Sequence, residues 1–340
     1  MRMTHPLLQP LRELHRSIRD AVLRSTREQS LEALSSVAED GEGDTIYAVD
    51  KVSEELLVHA LGKRAADLGG IVLIAEGLPG GQLDLPEGRA SNACRYRVLV
   101  DPIDGTRGLM YQKRAAWVLT GVAENRGDDT RLSHIDLALQ TEIPLVKQYL
   151  ADELYAVRGV GARAARVNLL TGASSVLSLR PSAATTIEHG FATVCRLFPG
   201  ARDELAAIDD EIVEGLLGPP VAGKASCFED QYASTGGQLY ELASGHDRFL
   251  ADLRPLLAPI LARRGLPPSL CCHPYDLSSV LIAEELGVVV RSPEGGALDC
   301  RVDVVEDVAW VGYANQRLAE RIEPLLKAAL GRRGLLRGSA

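Results

Sequence analysis

Aromatic residues make up only 4% of this 340-residue chain, so its core cannot rest on stacked rings and has to be aliphatic. No apolar run approaches the roughly 18 residues that cross a bilayer. The first residues, MRMTHPLLQPLRELHRS, scatter charge where a secretory leader would carry an unbroken apolar stretch. A membrane partner is therefore not expected. Positive charge is also short: 37 Lys and Arg stand against 46 Asp and Glu, a formal net charge of −9. Nucleic acid and anionic membrane surfaces both require a basic footprint, and this balance argues against either. The six cysteines, Cys94, Cys195, Cys227, Cys271, Cys272 and Cys300, include no C-x-x-C pair, and the adjacent Cys271-Cys272 has poor geometry for a structural bridge. These features read as a reduced, cytoplasmic protein.

What is present is apolar residues at 46%, enough for an Ala, Leu and Val core in one large domain or two packed lobes, burying roughly 75% of the unfolded surface. Leu7, Leu11, Leu14, Ile18 and Val22 recur at helical spacing and predict a first helix. After a polar break, EDGEGD (39–44), a second helix is predicted from about Asp50 to Leu68, with Val52, Leu56, Ala60 and Leu61 inward and Asp50 as its N-cap. Short apolar segments follow: GIVLIAEG, YRVLVDPID, AAWVLTGVA, HIDLALQ, IPLVKQYLA and ELYAV. They stand too close together for helical crossovers, which predicts a large, mainly antiparallel sheet. LPGGQLDLPEG (78–88) reads as a mobile loop. Beyond Arg180-Pro181 strand and helix patterns alternate, as in an α/β layer. Two parts are expected: residues 1–180, a helical pair plus the large sheet, and residues 181–335, the α/β layer.

Acidic residues gather at the polar ends of these segments. Glu76 follows GIVLIA, Asp101 follows YRVLV, Asp104 stands three positions further on, Asp276 opens a helix after CCHPY, and Asp50 stands at another helix start. Each has an ordinary alternative: Asp104-Gly105 as a turn, Asp50 and Asp276 as helix caps, Glu76 as a solvated loop residue. Carboxylates brought together repel unless a cation offsets them. Hard oxygen donors without nearby His or Cys suit Mg²⁺ better than Zn²⁺. Only His273, beside Asp276, comes near a softer site. In DPIDGT the proline holds the chain extended between two carboxylates, and Gly-Thr opens what reads as an anion-receiving helix start.

VDPIDGT resembles the central signature of the inositol monophosphatase family, Mg²⁺-dependent phosphomonoesterases related to fructose-1,6-bisphosphatase and the bisphosphate nucleotidases. YAVDKVSEELL, IVLIAEG, LADELYAVRGVGA and PYDLSSVLIAEELG are similar to further family segments in the family's order, so the resemblance spans roughly residues 45–290. It implies a layered αβαβα sandwich, an α+β or α/β fold. It implies that Glu76, Asp101 and the carbonyl of Ile103 hold a first Mg²⁺, and that Asp101, Asp104 and Asp276 hold a second, with a third ion an option. Thr106 and Glu76 would orient the attacking water, Asp50 would bond the Thr106 hydroxyl, and Gly105 and Thr106 N–H groups would receive the phosphate. A homodimer is the family's habit.

The chain departs from the pattern in places. Ala75-Glu76-Gly77 replaces Gly-Glu-Glu, Tyr275 replaces tryptophan, and Arg107-Gly108-Leu109 follows the Gly-Thr. Arg107 is either a reader of an extra anionic group or a solvated cation. The stretch between Tyr240 and Asp276 is longer and richer in proline than its counterpart, with Asp252 and Arg254 either touching substrate or forming an ion pair. STGGQLYEL is similar to the family's small-residue helix near the site. The expectation is a Mg²⁺-dependent phosphomonoesterase acting on a small polyol or sugar phosphate. Its alternatives are fructose-1,6-bisphosphatase or 3′(2′),5′-bisphosphate nucleotidase activity, a catalytically silent relative that binds a phosphorylated ligand or partner protein, and a structural Ca²⁺ site.

Overall fold

The computed structural model describes residues 5–28, 37–39 and 46–336, with side chains for 5–27, 53 and 55–336. Helix α1 (Leu8–Glu28) and the residue before it bury Leu7, Leu11, Leu14, Ile18 and Val22, the stripe that a 3.6-residue period predicts. A ribbon of β1 (Val37–Glu39) and β2 (Ile46–Tyr47) leads into α2 (Ala48–Ala65). Because α2 starts two residues before Asp50, that residue falls in the first turn and is not the cap; its side chain, like that of Val52, lies outside the described residues. The buried stripe of α2 is Leu57, Leu61 and Ala65, with Leu56 and Ala60 only half-buried. Most of the polar break at 39–44 also lies outside the described residues.

Eight strands then form one sheet: β3 (Ile71–Ala75), β4 (Gln82–Leu85), β5 (Tyr96–Asp104), β6 (Ala116–Glu124), β7 (Ile135–Ile143), β8 (Leu150–Val157), β9 (Gly161–Asn168) and β10 (Ser174–Leu177). Their order is β10-β9-β8-β7-β6-β5-β3-β4, and every pairing is antiparallel except β3 with β5. Two expectations are corrected here. The 78–88 segment contributes β4, which pairs with Ile71–Ile74 at the sheet edge. IPLVKQYLA is no separate strand: Pro144 interrupts the ladder, Val146 and Tyr149 face solvent, and the run is the connection from β7 into β8.

The second sheet, in the order β11-β12-β14-β13, comprises β11 (Phe191–Val194), β12 (Asp247–Asp252), β13 (Val289–Arg291) and β14 (Trp310–Tyr313). A short helix, α3 (Thr106–Met110), follows β5, and a longer one, α4 (Arg202–Leu217), follows β11. After α5 (Thr235–Ser244) and β12 come α6 (Ala258–Arg263) and α7 (Val280–Leu286), and α8 (Gln316–Arg332) closes the chain. The predicted helix at YDLSSVLIAEELG divides into a 3₁₀ turn, Pro274–Leu277, and α7.

Three aliphatic cores define five layers. One lies between α1, α2 and the large sheet, and one between the two sheets, filled by α5 and α7 through Leu239, Leu242, Val280 and Leu281. The third lies outside the small sheet, under α4 and α8. The order helix, sheet, helix, sheet, helix is the layered α+β sandwich expected. The seam between β6 and α7 is close: a Cβ on Gly121 would lie 2.6 Å from the Ser278 carbonyl oxygen and 2.6 Å from Ile135 Cδ1. Gly121→Ala is therefore expected to destabilise the fold by about 1–3 kcal/mol, although alanine suits a strand better than glycine; a urea midpoint equal to the parent's would contradict this.

Candidate metal centre

Strand β5 is buried along its whole length. Tyr96, Val98 and Val100 enter the α1–α2 core, and Leu99 points the other way. By this alternation Asp101 falls on the Leu99 face, and Asp104, three residues on, would return to the helical face. It does not, because the ladder slips. Asp101 pairs with Leu119 and Asp104 with Trp117, so three steps along β5 oppose two along β6. This is a β-bulge, placed where Pro102 has no N–H for a ladder. Leu119 and Trp117 both enter the inter-sheet core, whereas Ile103 packs into the helical core. The bulge thus turns both aspartates to one face.

Asp276 reaches them from the 3₁₀ turn before α7. Carboxylate oxygens of Asp101, Asp104 and Asp276 all lie within 4.8 Å of one another. Each is partly held. Asp101 Oδ1 accepts the Ile103 N–H at 3.0 Å, and Asp276 Oδ2 accepts the His273 N–H at 2.7 Å. Asp104 Oδ2 accepts from Ser234 Oγ at 2.7 Å and the Gly236 N–H at 2.6 Å, and Oδ1 accepts the Thr235 N–H at 3.3 Å.

The electrostatics are those of like charges packed together. Burial first, then the charges of Asp104, Asp276 and Glu76, push the Asp101 carboxyl well above its ordinary range. Burial, Asp104 and Glu76 do the same to Asp276, opposed by the His273 N–H and the Arg254 charge. Burial raises Asp104 to about 6 against the donors from α5. Glu76, just past the end of β3, therefore belongs to the same field. The parallel β3–β5 pairing, with Ala75 beside Val100, brings it there.

Other predicted residues surround this cluster. The Thr106 hydroxyl donates to the Ile103 carbonyl at 2.8 Å; that oxygen has a second lone pair for another partner. Gly105 takes φ +95°, and a Cβ there would lie 3.0 Å from Ser234 Cβ, so the turn requires glycine. Arg107 and Arg254 both hold their guanidinium groups against the Phe198 ring, 5.4 and 5.1 Å from its centroid. Asp252 is fully buried, and Arg254 grips both its oxygens while donating to the Leu270 carbonyl at 2.7 Å. The two therefore form an ion pair that is buried and not exposed. His273 stacks on Tyr275 at 5.4 Å and sits 3.5 Å from Asp307. Ser234, the first residue of the STGGQLYEL segment expected near the site, caps its helix and touches Asp104, a contact that was not anticipated. Gln140, which donates to the Gly236 carbonyl at 2.7 Å and accepts from Ser279 at 3.2 Å, gave no signal on its strand.

No family model matches this chain, and no curated protein matches it in sequence. Solved structures do match. The extragenic suppressor protein suhB of Bartonella henselae superposes with a TM-score of 0.63 at 17% identity, over 95% of this chain and 99% of that one. A fructose-1,6-bisphosphatase of Leishmania major gives 0.67 at 12% identity, over 96% and 94%. An inositol monophosphatase of Thermotoga maritima gives 0.58 at 14%, over 94% and 96%. The chain has the inositol monophosphatase and fructose-1,6-bisphosphatase fold. Each of these superpositions covers nearly the whole of both chains.

The donor set fits a hard divalent cation: buried Asp101 and Asp104 and half-buried Asp276 have oxygens within 4.8 Å of one another, with their charges uncompensated by one another. Without a cation, carboxyls raised above the unfolded value of 3.8 bind more protons in the native state than in the unfolded chain. Stability then rises as pH falls through about 6, the value for Asp104. With a cation the same protons compete for its ligands. The gain in melting temperature given by Mg²⁺ over EDTA is therefore expected to shrink steadily from roughly pH 7.5 to 5. A gain independent of pH would contradict a carboxylate-held ion.

Proposed function

We propose that this chain is a divalent-cation-dependent phosphomonoesterase acting on a small polyol or sugar phosphate. The observation that carries the reading is the convergence of Asp101, Asp104 and Asp276, brought together by a bulge and a 3₁₀ turn about 170 residues apart. The shared fold supports it: the matching structures include a protein named as a fructose-1,6-bisphosphatase and one named as an inositol monophosphatase.

In this reading two Mg²⁺ ions, with a third optional, would be held by Glu76, Asp101, the Ile103 carbonyl, Asp104 and Asp276, and would supply charge neutralisation on the phosphoryl oxygens and a lowered pKa for water. The chain's own residues do the rest. Gly105 and Thr106 N–H groups, at the mouth of α3, receive phosphate oxygens. Glu76 takes the proton of the attacking water, and the Thr106 oxygen orients that water while its own proton stays on the Ile103 carbonyl. Asp50, in the first turn of α2, would be the alternative acceptor for that proton. Arg107, against Phe198, lies one residue beyond this cradle and reads the rest of the substrate. The protein works as a cytoplasmic homodimer.

The test is release of inorganic phosphate from inositol phosphates, fructose 1,6-bisphosphate and nucleoside 3′,5′-bisphosphates, with Mg²⁺ and with EDTA. Turnover of at least one substrate is expected, abolished by EDTA. Asp101→Asn and Asp104→Asn are expected to lose about 100-fold or more, equal to ~2.7 kcal/mol of barrier. In EDTA, Asp101→Asn is expected to melt no lower than the parent, because it removes a repelling charge. Tight ligand binding without hydrolysis would instead favour the silent relative, and Ca²⁺ bound in preference to Mg²⁺ without turnover a structural site.

A further inference from the structure

The hydroxyl of Ser234 has two partners and one proton. Ser234 caps α5, and its oxygen accepts the Gly237 N–H at 2.9 Å. Its proton goes to Asp104 Oδ2 at 2.7 Å, and the Gly236 N–H reaches the same oxygen at 2.6 Å. A carboxylate oxygen offers two lone pairs, so Oδ2 is filled. Among the described residues, Oδ1 receives only the longer Thr235 bond, at 3.3 Å. The surroundings hold this arrangement in place. A Cβ on Gly236 would lie 3.0 Å from Asp104 Oδ2 and 2.5 Å from Leu119 Cδ2, and one on Gly105 would meet Ser234. The Gln140 amide fixes the Gly236 carbonyl from β7. Small residues at 234–237 therefore let a helix of the middle layer close over the end of β5, and Ser234 is the one side chain among them that touches Asp104.

We propose that Ser234 is a positioning residue of the metal centre: its hydroxyl saturates Asp104 Oδ2 and leaves Oδ1 as the oxygen that faces a cation. This rests on the metal-centre reading above and adds to it a residue outside the ligand set. Losing such an outer partner weakens metal binding by about 10–100-fold while leaving the ligands themselves intact.

Mn²⁺ binding to the full chain, followed by electron paramagnetic resonance in the absence of substrate, tests this. Ser234→Ala removes both the donor and the cap, Ser234→Asp keeps a capping acceptor but offers Asp104 no proton, and Ser234→Thr keeps both. Ala and Asp are expected to bind Mn²⁺ at least about tenfold more weakly than the parent, and Thr within about threefold of it. In the assay of the preceding subsection, Ser234→Ala is expected to raise the Mg²⁺ concentration needed for half-activation by a similar factor, with kcat at saturating Mg²⁺ and the substrate KM little changed. Melting temperatures in EDTA separate loss of the cap, about 1 kcal/mol, from loss of positioning: a cap-only role lowers the melting temperature and leaves Mn²⁺ affinity at the parent's value. That result, or equal weakening by Ala and Thr, overturns the proposal while the metal-centre reading stands. A parent that binds no Mn²⁺ overturns both.

Discussion

The constraint on which the rest of this molecule depends is repulsion among carboxylates that the fold will not let separate. Asp101 and Asp104 are bound to one strand, and the bulge at Pro102-Ile103 turns both to one side. Asp276 is pinned by the His273 N–H at the start of its 3₁₀ turn. None can rotate away without losing its backbone donor. Burial raises all three toward the protonated form, and several hydrogen bonds to neutral donors offset only part of that cost. A cation is the remaining way to keep two buried carboxylates and a half-buried one ionised side by side.

The layers explain why this cost is local. The large sheet is held to α1 by an aliphatic core, and a second polar anchor lies there: His15 sits between Thr120 and Thr141, and Glu153 takes Arg16 and Arg19. These contacts fix β6, β7 and β8 from the side away from the carboxylates. On the other side α5 and α7 must approach closely, and small residues permit it: Gly236 over Leu119, Gly121 beneath Ser278. Gln140 connects the starts of both helices. The carboxylates thus sit at a seam between layers, at strand ends, where the bulge releases a backbone N–H from the ladder to bond Asp101.

Much of this was legible in the sequence, for physical reasons. Period-2 and period-3.6 patterns give the strands and helices because each element buries one face, and VDPIDGT is distinctive because few other tasks place two aspartates around a proline at a strand end. What escaped depended on tertiary contact. On α2, Leu61 is buried as expected, but Leu57 takes the fully buried place that Leu56 and Ala60 were expected to share. IPLVKQYLA looked like a strand because apolar composition does not record exposure. Asp252 was ambiguous because only the fold reveals that Arg254 is its partner. Gln140 is one of four polar residues in its strand, and its role exists only once two helices from residues 235–286 lie over it.

The same geometry links the centre to stability. The end of β5 belongs to the large sheet, and the turn carrying Asp276 belongs to the layer between the sheets. An ion bound to both ties segments about 170 residues apart in the chain. In the unfolded chain those carboxylates do not converge, so nearly all the free energy of binding appears as free energy of folding. The −9 net charge works in the same direction, since each bound divalent ion reduces a self-repulsion spread over the whole molecule. Sandwich and centre are therefore coupled: layer packing forces the carboxylates together, and a cation bound among them would in turn help to hold the layers closed.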